Sequence, residues 1–194
     1  VDATFSGVLT YDDVTNVDSV GIITARSGIE LGASGVGGTI TGAGSAEFVG
    51  IVTVTQGTDL NGYKVEEGSY DSDALNGEFD FELENGHIQT HTGSTAGTFF
   101  PDFRVSSTQS LASVMGVGDV ISCTLIVAAS NTAHYCTTGI KIDNSTSNLT
   151  IEWIGSAAPT AGKGAGYDIY AFTIQKTAAT PAYLVIVNAT DAGP

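Results

Sequence analysis

Apolar and polar residues alternate with a period of two along much of this chain, most cleanly in two runs near its C-terminal end. In the first, Leu149, Ile151 and Trp153 share one face, and Thr150, Glu152 and Ile154 share the other. In the second, Ile169, Ala171, Thr173 and Gln175 alternate with Tyr170, Phe172, Ile174 and Lys176. Alternation of β-branched and aromatic side chains predicts strands. Between the runs, roughly residues 155–166, lies a loop of Gly, Ala, Ser and Pro. It lacks the apolar bulk for a core of its own, so it must cross the surface or one end of a sheet. The first run holds the only tryptophan, and the two runs are expected to anchor a C-terminal core.

Upstream, Phe79, Phe81 and Leu83 alternate with Glu78, Asp80, Glu82 and Glu84. That predicts a half-buried strand with an acidic outer face. Asn85-Gly86 follows, a dipeptide that favours a hairpin, and residues 87–91 read as the returning strand. Further strands are expected at residues 99–105, 120–128, 134–142 and 183–188, with a turn at Gly118-Asp119. Residues 111–115 fit a short strand or a helical turn. Strands separated by turns, without helical spacers, predict an all-β protein whose residues 77–194 form an antiparallel β-sandwich, jelly-roll-like in connection.

Residues 1–65 carry a degenerate repeat. Gly7-Val8-Leu9-Thr10 recurs as Gly21-Ile22-Ile23-Thr24, as Gly50-Ile51-Val52-Thr53 and, more weakly, as Gly38-Thr39-Ile40-Thr41. A longer pair matches Gly28 with Gly57, Glu30 with Asp59 and Leu31 with Leu60. Repeated short strands cannot bury their apolar faces singly, whereas stacked copies or neighbouring chains can. With few large side chains (Phe5, Tyr11, Phe48 and Tyr63), the segment suits a slim fibrous β-shaft built from several chains. Residues 66–76, with Gly68-Ser69-Tyr70-Asp71-Ser72-Asp73, read as an acidic linker.

Composition sharpens this picture. The 194 residues include 42% hydrophobic residues and 25 Gly against 4 Pro, which favours strands and turns and leaves enough for a core. With 21 acidic and 6 basic residues the net charge is −15, which disfavours binding to nucleic acid or anionic lipid. No apolar run approaches the roughly 18 residues of a membrane-spanning helix. No signal peptide is read at the N-terminus. With no Met at position 1 and patterned sequence already running at Val8, the chain reads as a mature or truncated piece of something longer.

Candidate chemistry is sparse. Cys123 and Cys136 read as two buried thiols, and a disulfide requires their strands to be neighbours. With His134 alone between them they make a poor zinc site. His87 and His91 share a strand face, a metal pair only if other copies complete it. Asp71-Ser72-Asp73 has the alternate acids of a calcium loop without its glycine and closing glutamate. The acids of one strand, Glu78, Asp80, Glu82 and Glu84, could supply a glycosidase pair, but their alternation makes them a solvated face. Gly162-Lys163-Gly164-Ala165-Gly166 resembles a phosphate loop only in glycine content. Asn144, Asn148 and Asn188 fit the glycosylation pattern. Among aromatic residues able to stack on sugars (Tyr135, Trp153, Tyr167, Tyr170 and Tyr183), core packing is favoured for Trp153 and Tyr170, and exposure for Tyr167. No catalytic residue, cofactor site or metal site is assigned.

Asp12-Asp13-Val14-Thr15-Asn16-Val17-Asp18-Ser19-Val20-Gly21-Ile22-Ile23-Thr24-Ala25-Arg26 resembles a motif repeated in structural proteins of marine tailed bacteriophages, especially cyanophages. Trp153, Gly155-Ser156-Ala157-Ala158-Pro159, Gly166-Tyr167-Asp168-Ile169-Tyr170, Phe172-Thr173-Ile174 and Lys176-Thr177 are similar to the ending common to those virion proteins. The resemblance implies a non-enzymatic virion appendage, a homotrimeric tail fibre or spike with a β-shaft and a β-sandwich tip. It implies other virion proteins as partners and contact with a host surface glycan. The alternatives are a carbohydrate-binding or carbohydrate-cleaving module, and a capsid decoration or head-fibre protein.

Overall fold

The structure, a computed structural model, describes residues 28–31, 38–41, 43, 45–48, 52 and 64–192. The described backbone is mostly β, with twelve strands, one helical turn and one 3-10 turn. The chain divides into two compact units, Val1–Asn61 and Gly62–Pro194.

In the first unit, β1 (Gly28–Leu31), β2 (Gly38–Thr41) and β3 (Ala46–Phe48) form an antiparallel sheet in that order. The β2 strand is the weak copy of the Gly-apolar-apolar-Thr repeat, and β1 belongs to the longer duplicated pair. The copies at residues 7–10 and 21–24, and that at 50–53 apart from Val52, lie outside the described residues. Ile29 pairs with Ile40 across β1 and β2, so the two isoleucines share one face.

The second unit holds two sheets. Its first strands are β4 (Gly68–Ala74), β5 (Gly77–Glu82), β6 (Ile88–Gly93), β7 (Phe99–Arg104), β8 (Val120–Ala129) and β9 (Lys141–Ile142). They alternate between the sheets: β4, β6 and β8 enter one, and β5, β7 and β9 enter the other. Each strand lies parallel to its predecessor in the same sheet, because the chain reaches it by crossing through the opposite sheet. The helical turn α1 (Leu111–Val114) lies between β7 and β8. Then β10 (Leu149–Trp153), β11 (Gly166–Ala178) and β12 (Ala182–Ala192) extend the larger sheet, giving the order β10-β12-β11-β8-β6-β4. In that sheet β11 alone runs against the other strands.

Three expectations need correction. The pairing is not antiparallel throughout: five of the seven strand pairs in this unit are parallel. Asn85-Gly86 does not join a hairpin, since β5 pairs with β7 and β6 pairs with β4 and β8. A 3-10 turn (Leu83–Asn85) instead carries the chain from one sheet to the other. Gly86 ends that turn at φ 99°, and a Cβ there would lie 2.2 Å from the Glu67 carbonyl oxygen. Only glycine fits so close a crossing. Finally, residues 66–76 are not a linker: Gly68–Ala74 is the edge strand β4. Edge strands tolerate polar and acidic side chains, which made this one read as a tether.

The two sheets of this unit pack on a shared core. Phe99 of β7 meets Tyr170 of β11 edge-on, with centroids 5.8 Å apart. Phe103 meets Phe172 at 5.0 Å across the sheets and Phe81 at 5.0 Å within its own sheet. Leu125, Val127, Ile174, Val185 and Val187 complete the inward rows from the larger sheet. Leu149, Ile151 and Trp153 pack against this core, as their alternation predicts, although β12 separates β10 from β11. The expected strand at 134–142 shrinks to β9 and one bridge between Cys136 and Phe99. Cys123 and Cys136 are buried free thiols. Burial pushes the Cys123 thiol up to about 12 and raises Cys136 too, so both stay protonated at neutral pH.

Candidate functional site

The loop after β7 and the loop after β9 meet beside the C-terminal end of β7. Asp102, Arg104 and Asp80 start the construction. Asp80 and Asp102 are direct cross-strand partners on β5 and β7, an unfavourable pair of like charges. Arg104 resolves it by ion-pairing with both, at 2.8 Å to Asp80. The Asp102 carboxylate is fully buried and also accepts the Asn144 amide N–H at 2.9 and 3.1 Å.

Asp143 then ties the second loop to the helical turn. Its two carboxylate oxygens accept the backbone N–H groups of Leu111 (2.6 Å) and Ala112 (2.9 Å). Those amides open α1 and have no partner within the helix. Ser110 caps the same turn by accepting from the Ser113 N–H at 3.2 Å. Asp143 and Asn144 both adopt left-handed backbone angles, φ 51° and 61°, which Asp and Asn tolerate better than most residues. Two carboxylates therefore fix a loop junction made from segments about 40 residues apart.

The junction forms an open groove of about 250 Å³. Hydroxyl and amide groups of Ser106, Ser107, Thr108, Gln109 and Asn144 line it, with Arg104 at one side. A second cavity, about 330 Å³, shares Ser110 and Asp143 with the first. Its walls include Ile142, Leu149, Pro181 and Tyr183. The Tyr183 hydroxyl is buried without a hydrogen-bond partner. Burial, and then the charge of Asp143, push that hydroxyl up to about 12, so it remains a donor at neutral pH. The two cavities thus present a hydroxyl-rich half beside a half with apolar and aromatic walls. Such a surface suits a ligand with both hydroxyl edges and carbon–hydrogen faces.

The other candidates are dispersed. Glu78 pairs with Lys141 at 2.7 Å, and Asp80 with Arg104. Glu66, Glu67 and Glu84 line a separate cavity of about 330 Å³ with Lys64 and His87. Hydrogen bonding and charge from Lys64 lower the Glu66 pKa. A general acid for glycoside cleavage needs the opposite shift. His87 is exposed and His91 is buried, so the two do not form a shared site. Among the described residues no group of three or more His, Cys, Asp or Glu could hold a metal. In the glycine loop, the Lys163 N–H already donates to the buried Asp168 carboxylate at 3.2 Å. A Cβ at Gly162 would stand 2.2 Å from the His134 carbonyl oxygen, so this loop packs on the chain itself. Tyr167 is exposed and Tyr170 is core, as expected, and Tyr183 is the aromatic residue that lines a cavity of the junction.

One pairing was not visible in the sequence. Ser130 Oγ lies 3.4 Å from His134 Nδ1. That nitrogen is closer, at 2.8 Å, to the Thr95 carbonyl oxygen, to which it donates. Ser130 Oγ donates to the same carbonyl at 2.6 Å. Both groups therefore hold a loop together, and Nδ1 does not take the serine proton.

His91 carries a testable consequence. The His91 ring is buried and packs edge-on to Phe79 at 5.5 Å. Burial lowers its pKa from 6.5, outweighing the nearby Asp71 and Asp73. The folded protein then binds this proton less readily than the unfolded chain. The stabilising contribution is complete above about pH 6.5 and is lost as pH falls below it. Urea unfolding of the native protein and His91→Phe between pH 7.5 and 5 measures it. The variant should lose less stability over that range.

No family model, no curated protein and no solved structure matches this chain. Among the described residues, no helix is long and apolar enough to cross a membrane.

Proposed function

We propose that this chain is a structural protein of a tailed-phage virion, a fibre or spike appendage whose C-terminal unit is a β-sandwich tip that adheres to a host surface glycan. The observation that carries the adhesive role is the junction of Arg104, Ser106–Ser110 and Asp143–Asn144 with the Tyr183 cavity. Hydroxyls, amides and a guanidinium match the edges of a sugar, and the apolar wall matches its faces. Asp102 and Asp143 already accept hydrogen bonds from the backbone, and Asp102 is paired with Arg104 as well. That favours holding a glycan over cleaving it.

The resemblance of residues 12–26 and of the C-terminal run to marine phage virion proteins supports the setting. The first unit supports a multi-chain shaft. Ile29 and Ile40 stay 37% and 36% exposed in one copy, and Phe48 is 48% exposed. Three short strands leave these side chains facing water, and neighbouring copies would cover them. In this reading the appendage is a homotrimer.

Binding of the purified full chain to intact host-type cells and to their isolated surface polysaccharide tests the adhesive role. Ser107→Trp places a bulky ring at an exposed position of the groove. It should weaken binding at least about tenfold while circular dichroism stays unchanged. Equal binding by the variant, or release of new reducing ends from the polysaccharide, would count against the proposal.

A further inference from the structure

We propose that the outer face of the six-stranded sheet is a docking surface for a second copy of this chain. The inference extends the multi-chain reading from the shaft to the C-terminal unit, and it rests on that reading.

The register defines the face. Cys123, Leu125 and Val127 of β8 point inward and are buried, so Val120, Ser122, Thr124 and Ile126 point outward. On β11 the inward residues are Tyr170, Phe172 and Ile174, which leaves Tyr167, Ile169, Ala171 and Thr173 outside. Ile126 and Ile169 are direct partners, as are Thr124 and Ala171, and Ser122 and Thr173. Next to them β12 presents Leu184 and Ile186, and β6 presents Ile88 and Thr90. Within the described residues no charged side chain points outward from β6, β8, β11 or β12. Glu152, on the edge strand β10, marks one border. Val120, Ile88 and Tyr167 are 53%, 42% and 40% exposed.

Charge selects the occupant. The chain carries 21 acidic and 6 basic residues, yet the outer face of the four central strands, β12, β11, β8 and β6, has none of either. The outer face of the smaller sheet is the opposite, with Glu78, Asp80 and Glu82 along β5. Two copies, each at −15, repel wherever carboxylates would be brought together. A face without charge is where identical acidic molecules can meet without desolvating or opposing like charges. A basic partner would be drawn instead to the acidic β5 side.

Size agrees. Four strands, spaced about 4.8 Å and roughly 30 Å long, give a face on the order of 600 Å² before side-chain relief is counted. Standard protein interfaces bury about 800 Å² per partner. A row of β-branched and aromatic residues interspersed with Thr, Ser and Ala is also the composition that packs sheet against sheet.

The test is light scattering on the full chain and on the double variant Ala171→Glu/Thr173→Glu, both exposed central positions of β11. The native chain should run at a multiple of 19.8 kDa. The double variant should fall to a lower multiple, with association at least about tenfold weaker and an unchanged circular dichroism spectrum. Ser122→Glu, at an exposed position of β8, provides a second reading should the double variant fail to fold. A native trimer that both variants leave intact overturns this inference and leaves the shared shaft standing. A native dimer abolished by the variants supports the docking face and overturns the trimer. A native monomer at all accessible concentrations overturns both.

Discussion

Replacing Asp102 by alanine is expected to destabilise the C-terminal unit by about 3–5 kcal/mol, the range for removing one partner from a buried ion pair. Three effects combine. Arg104, whose side chain is 21% exposed and whose Nε is already without a partner, loses its buried counter-charge and keeps only the half-exposed Asp80. The Asn144 amide loses both its acceptor oxygens. The left-handed turn at Asp143 and Asn144 loses the anchor that holds it against β7. Asp102→Asn should recover part of the loss, since its amide oxygen can still accept from Asn144. Urea unfolding of the three proteins measures the series. A cost under about 1 kcal/mol for the alanine variant would mean that water replaces the carboxylate without penalty.

Phe103→Ala should cost a similar amount, about 3–5 kcal/mol, for a different reason. Phe103 is fully buried and sits between Phe81 beside it and Phe172 across the core. Truncation leaves a void bounded by both sheets, so neither can close over it without parting from the other. Phe103→Leu should restore a large share of the lost stability. Equilibrium unfolding with an unchanged denaturant slope identifies the loss as native-state packing. If the alanine variant lost less than about 1 kcal/mol, the two sheets would have to collapse freely around the gap.

The inward and outward faces of β5, β10 and β11 were legible in the sequence because period-two alternation reports which side of a sheet a residue occupies. It does not report which strand lies alongside. Phe79, Phe81 and Leu83 alternate in the same way whether β5 meets β6 in a hairpin or β7 in parallel. The parallel winding was therefore hidden, and Asn85-Gly86 favoured the wrong partner. Gly68–Ala74 was hidden by its polarity, since an edge strand needs few apolar side chains. The groove was least visible. Residues 106–110 and 143–144 lie between the expected strands, and only folding brings them together. Tyr183 was visible as an aromatic residue, but its unpartnered hydroxyl beside Asp143 belongs to the three-dimensional arrangement.

The alternating path also dictates the order in which the larger sheet can be completed. The first three strands, β4, β6 and β8, are in place by residue 129, but the neighbour of β8 on its other side is β11, which starts at residue 166. During synthesis β8 therefore waits as an open edge while 36 further residues, 130–165, emerge. The β11–β12 pair is the largest antiparallel ribbon in the unit and forms locally, around a short turn near residues 179–181. It can assemble as one piece and then dock onto β8, closing the gap in a single late step. Until then the nascent chain carries an unprotected strand edge, and crowding of several growing chains on one message is the circumstance in which that edge finds the wrong neighbour.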